Sequence, residues 1–290
     1  MSDVPAQVLP PAPRGMLVKL LADRRSAAGV ALVGLAVVMA LAAPLLATHD
    51  PNNPDFIAIL APPSGEHFFG TDDLGRDTFS RIVYGARTSI LVGVLSVFAA
   101  FILGTVAGLV AGFFGKWVDA LIMRVMDVIF AFPSILLALA ITAVLGPSLT
   151  NAVLAIAVVN LPVFARIARA QTMVVARLDF VEASRALGAG TPRILFRTIL
   201  PNILTPVIVQ GSLLFAAAII TESYLSFLGL GVQPPTPTWG NMLRNAIGFL
   251  DLAPWLACFP GLAIFLTVLG FNLLGDGLRD RLDPRDASPG

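Results

Sequence analysis

Residues 88–115 read TSILVGVLSVFAAFILGTVAGLVAGFFG, without one Asp, Glu, Lys or Arg. A helix crossing the ~30 Å hydrocarbon core of a bilayer needs roughly 20 mostly apolar residues, and this run exceeds that. Read alone, it makes the chain an integral membrane protein. The rest of the composition agrees: 57% of residues are hydrophobic and 13% charged, against about 25% charged in soluble domains. A formal net charge of +1 excludes the large basic surplus of a nucleic-acid binder.

Outward from that run, further uncharged stretches occupy residues 26–49, 128–165, 198–221, 223–243 and 252–275. The second of these is too long for one crossing, and Gly146, Pro147 and Ser148 punctuate its middle as a turn does. Residues 223–243 carry Gly229, Gly231, Pro234, Pro235 and Pro237, which leave backbone groups that hydrocarbon cannot satisfy. The expected fold is therefore all-α, with six transmembrane helices near residues 27–47, 89–113, 125–145, 149–170, 203–227 and 253–275. The first is too long for the ~7 to 15 apolar residues of a signal sequence and is read as retained. Pro133 and Pro162 are expected to kink the third and fourth spans.

Orientation follows from Lys and Arg, which collect on the cytoplasmic side. With both termini inside, fifteen basic residues fall there and only Arg76, Arg81, Arg87 and Arg244 fall outside. This divides the chain into a cytoplasmic segment 1–25, a six-helix membrane domain 26–280 and a cytoplasmic tail 281–290. External loops are expected at 48–87 and 229–252, and a cytoplasmic helical hairpin at 166–200.

No catalytic or metal site is expected. The two lysines do not form a nucleotide-binding loop, because Lys19 follows Val18 and Lys116 precedes Trp117. His49 and His67 both lie in the first outer segment, away from the single cysteine Cys258, and are read as solvated loop residues. Inside the spans, Asp127 stands three residues after Arg124 and is expected to pair with it. Glu222, Asn160 and Gln210 are candidates for a pathway or gate, since polar groups within membrane helices face protein or water.

The hairpin carries the densest local signals. Asp179 is placed to cap a short helix, with Glu182 completing a variant capping box, and Gly188 supplies the left-handed position that ends helices. Thr191 and Pro192 open a second helix, which Pro201 is expected to interrupt.

Glu182-Ala183-Ser184, Gly188 and Ile199-Leu200-Pro201 resemble the permease signature of binding-protein-dependent ABC importers. Phe69-Gly70-Thr71-Asp72, Leu74-Gly75-Arg76-Asp77, Ser226-Phe227-Leu228-Gly229 and Asn272-Leu273-Leu274-Gly275-Asp276 narrow the likeness to C-type permease subunits of dipeptide, oligopeptide, glutathione or nickel importers. That resemblance implies a type I ABC importer permease in a bacterial inner membrane. It implies a second, homologous permease, two cytoplasmic ATPase subunits that use ATP and Mg, and an external solute-binding protein. No cofactor would be bound by this chain. Glu182, Ala183, Ser184, Gly188, Arg193 and Pro201 would couple it to an ATPase. The alternative is an ion-gradient-driven secondary transporter, which would place charged or broken-helix sites near the midplane; a membrane-embedded enzyme lacks clustered His, Cys or acids in the spans.

Overall fold

The computed structural model describes Leu21 and residues 23–282. Most of segment 1–25, including Arg14 and Lys19, and the tail from residue 283, including Arg285, lie outside the described residues. Those described form helices with no named strand, only an isolated antiparallel bridge between Thr71 and Asp77. Five helices are long and apolar enough to cross a membrane, and a bent helix pair supplies a sixth.

Helix α1 (Arg24–Leu41) starts where Asp23 accepts hydrogen bonds from the Ser26 backbone and hydroxyl, both 2.9 Å. Those donors hold the Asp23 carboxyl below its usual range. A one-turn helix α2 (Ala43–Leu46) follows, with Pro44 in its first turn. Helix α3 (Thr78–Phe114) is capped by Asp77, which accepts from the Ser80 N–H at 2.8 Å. Its 37 residues extend about 55 Å, far more than the bilayer core needs. The second span therefore begins eleven residues earlier than expected, and Arg81 and Arg87 belong to this helix rather than to the outer loop, which shrinks to residues 48–77.

The third span is corrected most. Instead of one helix at 125–145, α4 (Lys116–Phe130) and α5 (Ser134–Leu145) meet at a 90° bend. Pro133 sits at the corner, where its ring and missing N–H prevent the helix from continuing. The expected tight turn follows: Asn151 Nδ2 donates to the carbonyls of Leu145 and Gly146, each at 2.9 Å, satisfying groups that the helix end leaves free. Helix α6 (Leu149–Val175), capped by Ser148, carries Pro162 within it and runs five residues past the expected end.

After the short α7 (Asp179–Ala186), a single helix α8 runs Thr191–Phe227, with a π-turn over Ile194–Ile199. Pro201 does not interrupt it. The π-turn immediately precedes Pro201, with Leu200 N–H reaching back five residues to Leu195 O. Helix α9 (Trp239–Ala246) lies within the expected second outer loop, opened by a Thr238–Asn241 capping box. Helix α10 (Trp255–Leu282) ends the described chain.

Close approaches fix the arrangement. A Cβ on Gly104 would meet Leu161 and Phe164, on Gly108 Ala165 and Ala168, and on Gly112 Arg169 and Thr172. Both residue series rise together, so α3 and α6 run parallel, backbone to backbone. Gly29 against Leu273 and Leu274, with Gly270 against Leu32 and Val33, shows that α1 and α10 run antiparallel. In consequence the 48–77 segment, the turn at Gly146 and the loop carrying α9 share one end of the bundle. Gly115 and the hairpin share the other.

Candidate functional site

At the hairpin end, α7 stops in a Schellman turn: Ala189 N–H donates to Ser184 O at 3.1 Å and Gly188 N–H to Arg185 O at 2.9 Å. Gly188 takes φ +79°, the left-handed region that an L side chain enters only at a cost. The fully buried Val181, with Ile194, Leu195 and Ile199, anchors the hairpin to the core. Its other side is bare. Leu187 is 88% exposed, Phe180, Leu178 and Phe196 are exposed, and Glu182, Ala183, Arg193 and Arg197 face solvent.

The structure thus brings Glu182, Ala183, Ser184 and Gly188 onto α7 and its terminal turn, with Arg193 at the head of α8 just beyond. Pro201, also exposed, lies eight residues and about 12 Å farther along α8. The capping assignments change. Leu178, not Asp179, occupies the cap of α7, and Gly190, not Thr191, that of α8, neither with a side-chain bond. Asp179 and Glu182 instead sit in the first turn of α7, where negative charge faces the positive end of the helix dipole. Arg185 lies 5.3 Å from the centroid of the Phe113 ring.

Above the hairpin, α4 is tied to α6 by two ion pairs. Arg169 grips Asp119 through both Nε and a terminal nitrogen, and Arg166 donates to Asp127 at 2.8 Å. The expected Arg124–Asp127 pair is not formed: an Arg preceding an Asp along a helix is the weaker orientation, and α6 presents Arg166 opposite.

The three pathway candidates do not form one site. Glu222 is wholly buried, with Oε1 accepting from the Ser226 hydroxyl at 2.7 Å. Gln210 is half-buried, twelve residues and about 18 Å away along α8. Asn160 is buried and donates to Ile156 O at 2.9 Å on its own helix. None of the three points into a described cavity. A concavity of about 700 Å³ opens at the other end among Thr48, His49, Asn52, Arg87 and Thr236.

At that end, charges invisible to the loop reading are arranged in a network. Asp72 accepts from Arg76 Nε at 2.8 Å and lies 3.4 Å from Arg81 Nε, while Arg81 Nη1 donates to Pro51 O at 2.7 Å. Gly75 turns this loop at φ +75°, and a Cβ there would lie 1.7 Å from Asp55 O. The expectation that both histidines are solvated also needs correction: His67 is buried and bonded through Nδ1 to Asp77 at 3.0 Å. The four-residue spacing of Gly104, Gly108 and Gly112 was a sequence signal for a close-packing helix face, though not for its partner; the Asp72 pairs form in a turn and had no such signal.

Residues 104–286 match the family model of the binding-protein-dependent transport system inner membrane component. The chain is 51% identical over 261 residues to the dipeptide transport system permease protein DppC of Alkalihalophilus pseudofirmus, covering 88% of this chain and 86% of that one. It is 48% identical to the glutathione transport system permease protein GsiD of Pectobacterium atrosepticum, covering 89% and 86%. Among solved structures, an inward-facing MetNI methionine ABC transporter superposes with a TM-score of 0.55 at 17% identity, over 69% of this chain and 95% of that one.

Proposed function

From the premise that this chain belongs to the binding-protein-dependent transport system inner membrane component family, and so is a permease subunit of an ABC importer, we propose that it forms half of a pathway for short peptides. The dipeptide and glutathione transport named for its relatives supports that solute class. A homologous second permease completes the pathway, an external solute-binding protein delivers the peptide, and two cytoplasmic ATPases bind ATP and Mg. The nucleotide chemistry belongs to those partners, and this chain catalyses no reaction.

The observation that carries this reading is the hairpin. A rigid turn anchored by Val181, with Leu187 and Phe180 bare and Arg193 and Arg197 without an ion pair among the described residues, suits insertion into an acidic, apolar-lined groove on an ATPase. Buried anchoring lets a push on Glu182, Ala183, Ser184 or Gly188 reach α8 without being lost in loop motion. Pro201, one helix segment beyond, belongs to the lever. Liposomes holding this chain, the second permease and the ATPases should take up labelled dipeptide only with ATP inside and loaded binding protein outside. Omitting any one chain should abolish uptake. ATP-independent uptake by this chain alone would overturn the assignment and favour the ion-gradient alternative.

Both termini and the hairpin are placed in the cytoplasm, with the multi-pass chain in the bacterial inner membrane. Fifteen basic residues on the hairpin side against Arg76, Arg81, Arg87 and Arg244 on the other support this orientation. Single cysteines at the exposed Ser64 and Thr236, in a Cys258→Ser background, should react with an impermeant thiol reagent added to intact cells, and one at Thr191 should not. The reverse pattern would invert the orientation and remove the hairpin from the ATPase side.

A further inference from the structure

At the end of the bundle opposite the hairpin, His49, Glu66 and His67 each offer a ligand atom within 4.8 Å of the others. We propose that these three residues bind a divalent first-row transition cation, of which Zn²⁺ is the reference.

The imidazoles are held as ligands need to be. His67 Nδ1 lies 3.0 Å from Oδ1 of Asp77, a carboxylate only 1% exposed. His49 Nδ1 lies 3.0 Å from the Thr48 hydroxyl, which donates to Asp77 Oδ2 at 3.3 Å. Since that hydroxyl gives its proton to the carboxylate, its lone pair accepts from His49 Nδ1–H. One buried carboxylate therefore orients both rings, directly for His67 and through Thr48 for His49. Each Nε2 lone pair is left for a cation. Carboxylate-held imidazoles of this kind are the usual outer support of a metal site. The ring centroids are 4.8 Å apart, tilted by 36°.

Two imidazoles and a carboxylate are the donor set that suits Zn²⁺ and its first-row neighbours better than Mg²⁺ or Ca²⁺, which favour all-oxygen ligation. Tetrahedral bonds of about 2.0–2.2 Å require ligand separations of roughly 3.3–3.6 Å, so the site must contract. Glu66 is exposed and can swing onto the two oriented rings. Three protein ligands leave a fourth position for water. Because His49 follows α2, Glu66 and His67 lie mid-segment, and Asp77 caps α3, the cation would cross-link the outer segment and pin it to the start of that helix.

The test uses the full-length chain, without a polyhistidine tag, purified in detergent and stripped with a chelator. Zn²⁺ is titrated by calorimetry, and metal content is measured after gel filtration. The expected result is one Zn²⁺ per chain, with binding lost in His49→Ala and weakened in Glu66→Gln. Thr48→Val should lower affinity about 10- to 100-fold, the usual effect of removing a ligand's outer partner. Cys258→Ser should bind as the parent does. His67→Ala is avoided as the deciding variant because it also removes a bond to the helix cap. Both His49 and Glu66 are exposed, so gel filtration should show their variants folded. If the parent, His49→Ala and Glu66→Gln retain equal Zn²⁺, including none, the site is refuted.

Discussion

Gly108→Ala should deplete the folded protein, although alanine is the better helix former by about 1 kcal/mol. A Cβ at 108 would lie 2.2 Å from the Ala165 carbonyl oxygen and 2.8 Å from the Ala168 Cβ. Neither obstacle is the end of a flexible side chain. The two helices must separate, and Gly104 and Gly112, with approaches of 2.7 Å to the Leu161 and Arg169 carbonyls, would lose their packing with it. Overpacking of this kind costs about 1–3 kcal/mol and sometimes more. Lipid offers no hydrophobic force to push the helices back together, so association depends on close packing. Gly108→Leu should be worse. Gly34→Ala is the control, because a Cβ there meets nothing within 4 Å. The measurements are monodisperse yield on gel filtration and Tm in detergent. Equal yield and Tm for Gly108→Ala and Gly34→Ala would disprove the parallel α3–α6 seam.

Gly188→Val should leave the chain in the membrane at normal abundance while abolishing ATP-driven transport by the assembled importer. A Cβ at 188 meets nothing within 4 Å, so no clash is involved and the effect is confined to the backbone. Left-handed geometry costs an L residue roughly 1–2 kcal/mol, and β-branching makes φ +79° less tolerable still. The chain relieves this by opening the Schellman turn, which swings α7 away from α8. Gly188→Asn should keep most transport, since asparagine tolerates this region. Glu182→Ala discriminates further: its side chain makes no hydrogen bond or ion pair among the described residues and caps no helix end. Its dipole contribution to α7 is only about 0.3–1 kcal/mol, so loss of most transport there would report contact with a partner rather than lost hairpin stability. Co-purification of the ATPases, ATP hydrolysis stimulated by loaded binding protein, and uptake should be measured for all three variants. Parent-like hydrolysis and uptake by Gly188→Val would return the hairpin to a simple connector.

The hairpin was legible in sequence because its signals are local. Gly188, Pro192 and the small residues around Glu182 act within a few positions of one another, and the turn formed where they placed it. Its helices each start one residue earlier than expected, at Leu178 and Gly190, which cap without a side-chain bond. The other end of the molecule was not legible. His67 looks like any loop histidine until Asp77 folds back on it, and Asp127 chooses Arg166 over Arg124 only because α6 passes there.

By itself the sequence determined that this is an all-α membrane protein, where its apolar segments lie, though not the ends of the helices that contain them, and which end bears the hairpin. Hydrocarbon length and backbone satisfaction act on each segment separately, so uncharged runs and Pro/Gly interruptions suffice. Only the tertiary structure decided that α3 and α6 run parallel through a glycine seam, that the third span turns through 90°, and that Glu222 is sealed within the bundle. It also decided that His49, Glu66 and His67 converge. These outcomes depend on which surfaces meet across long sequence separations. Their free energies belong to pairs of segments, and no single segment records them.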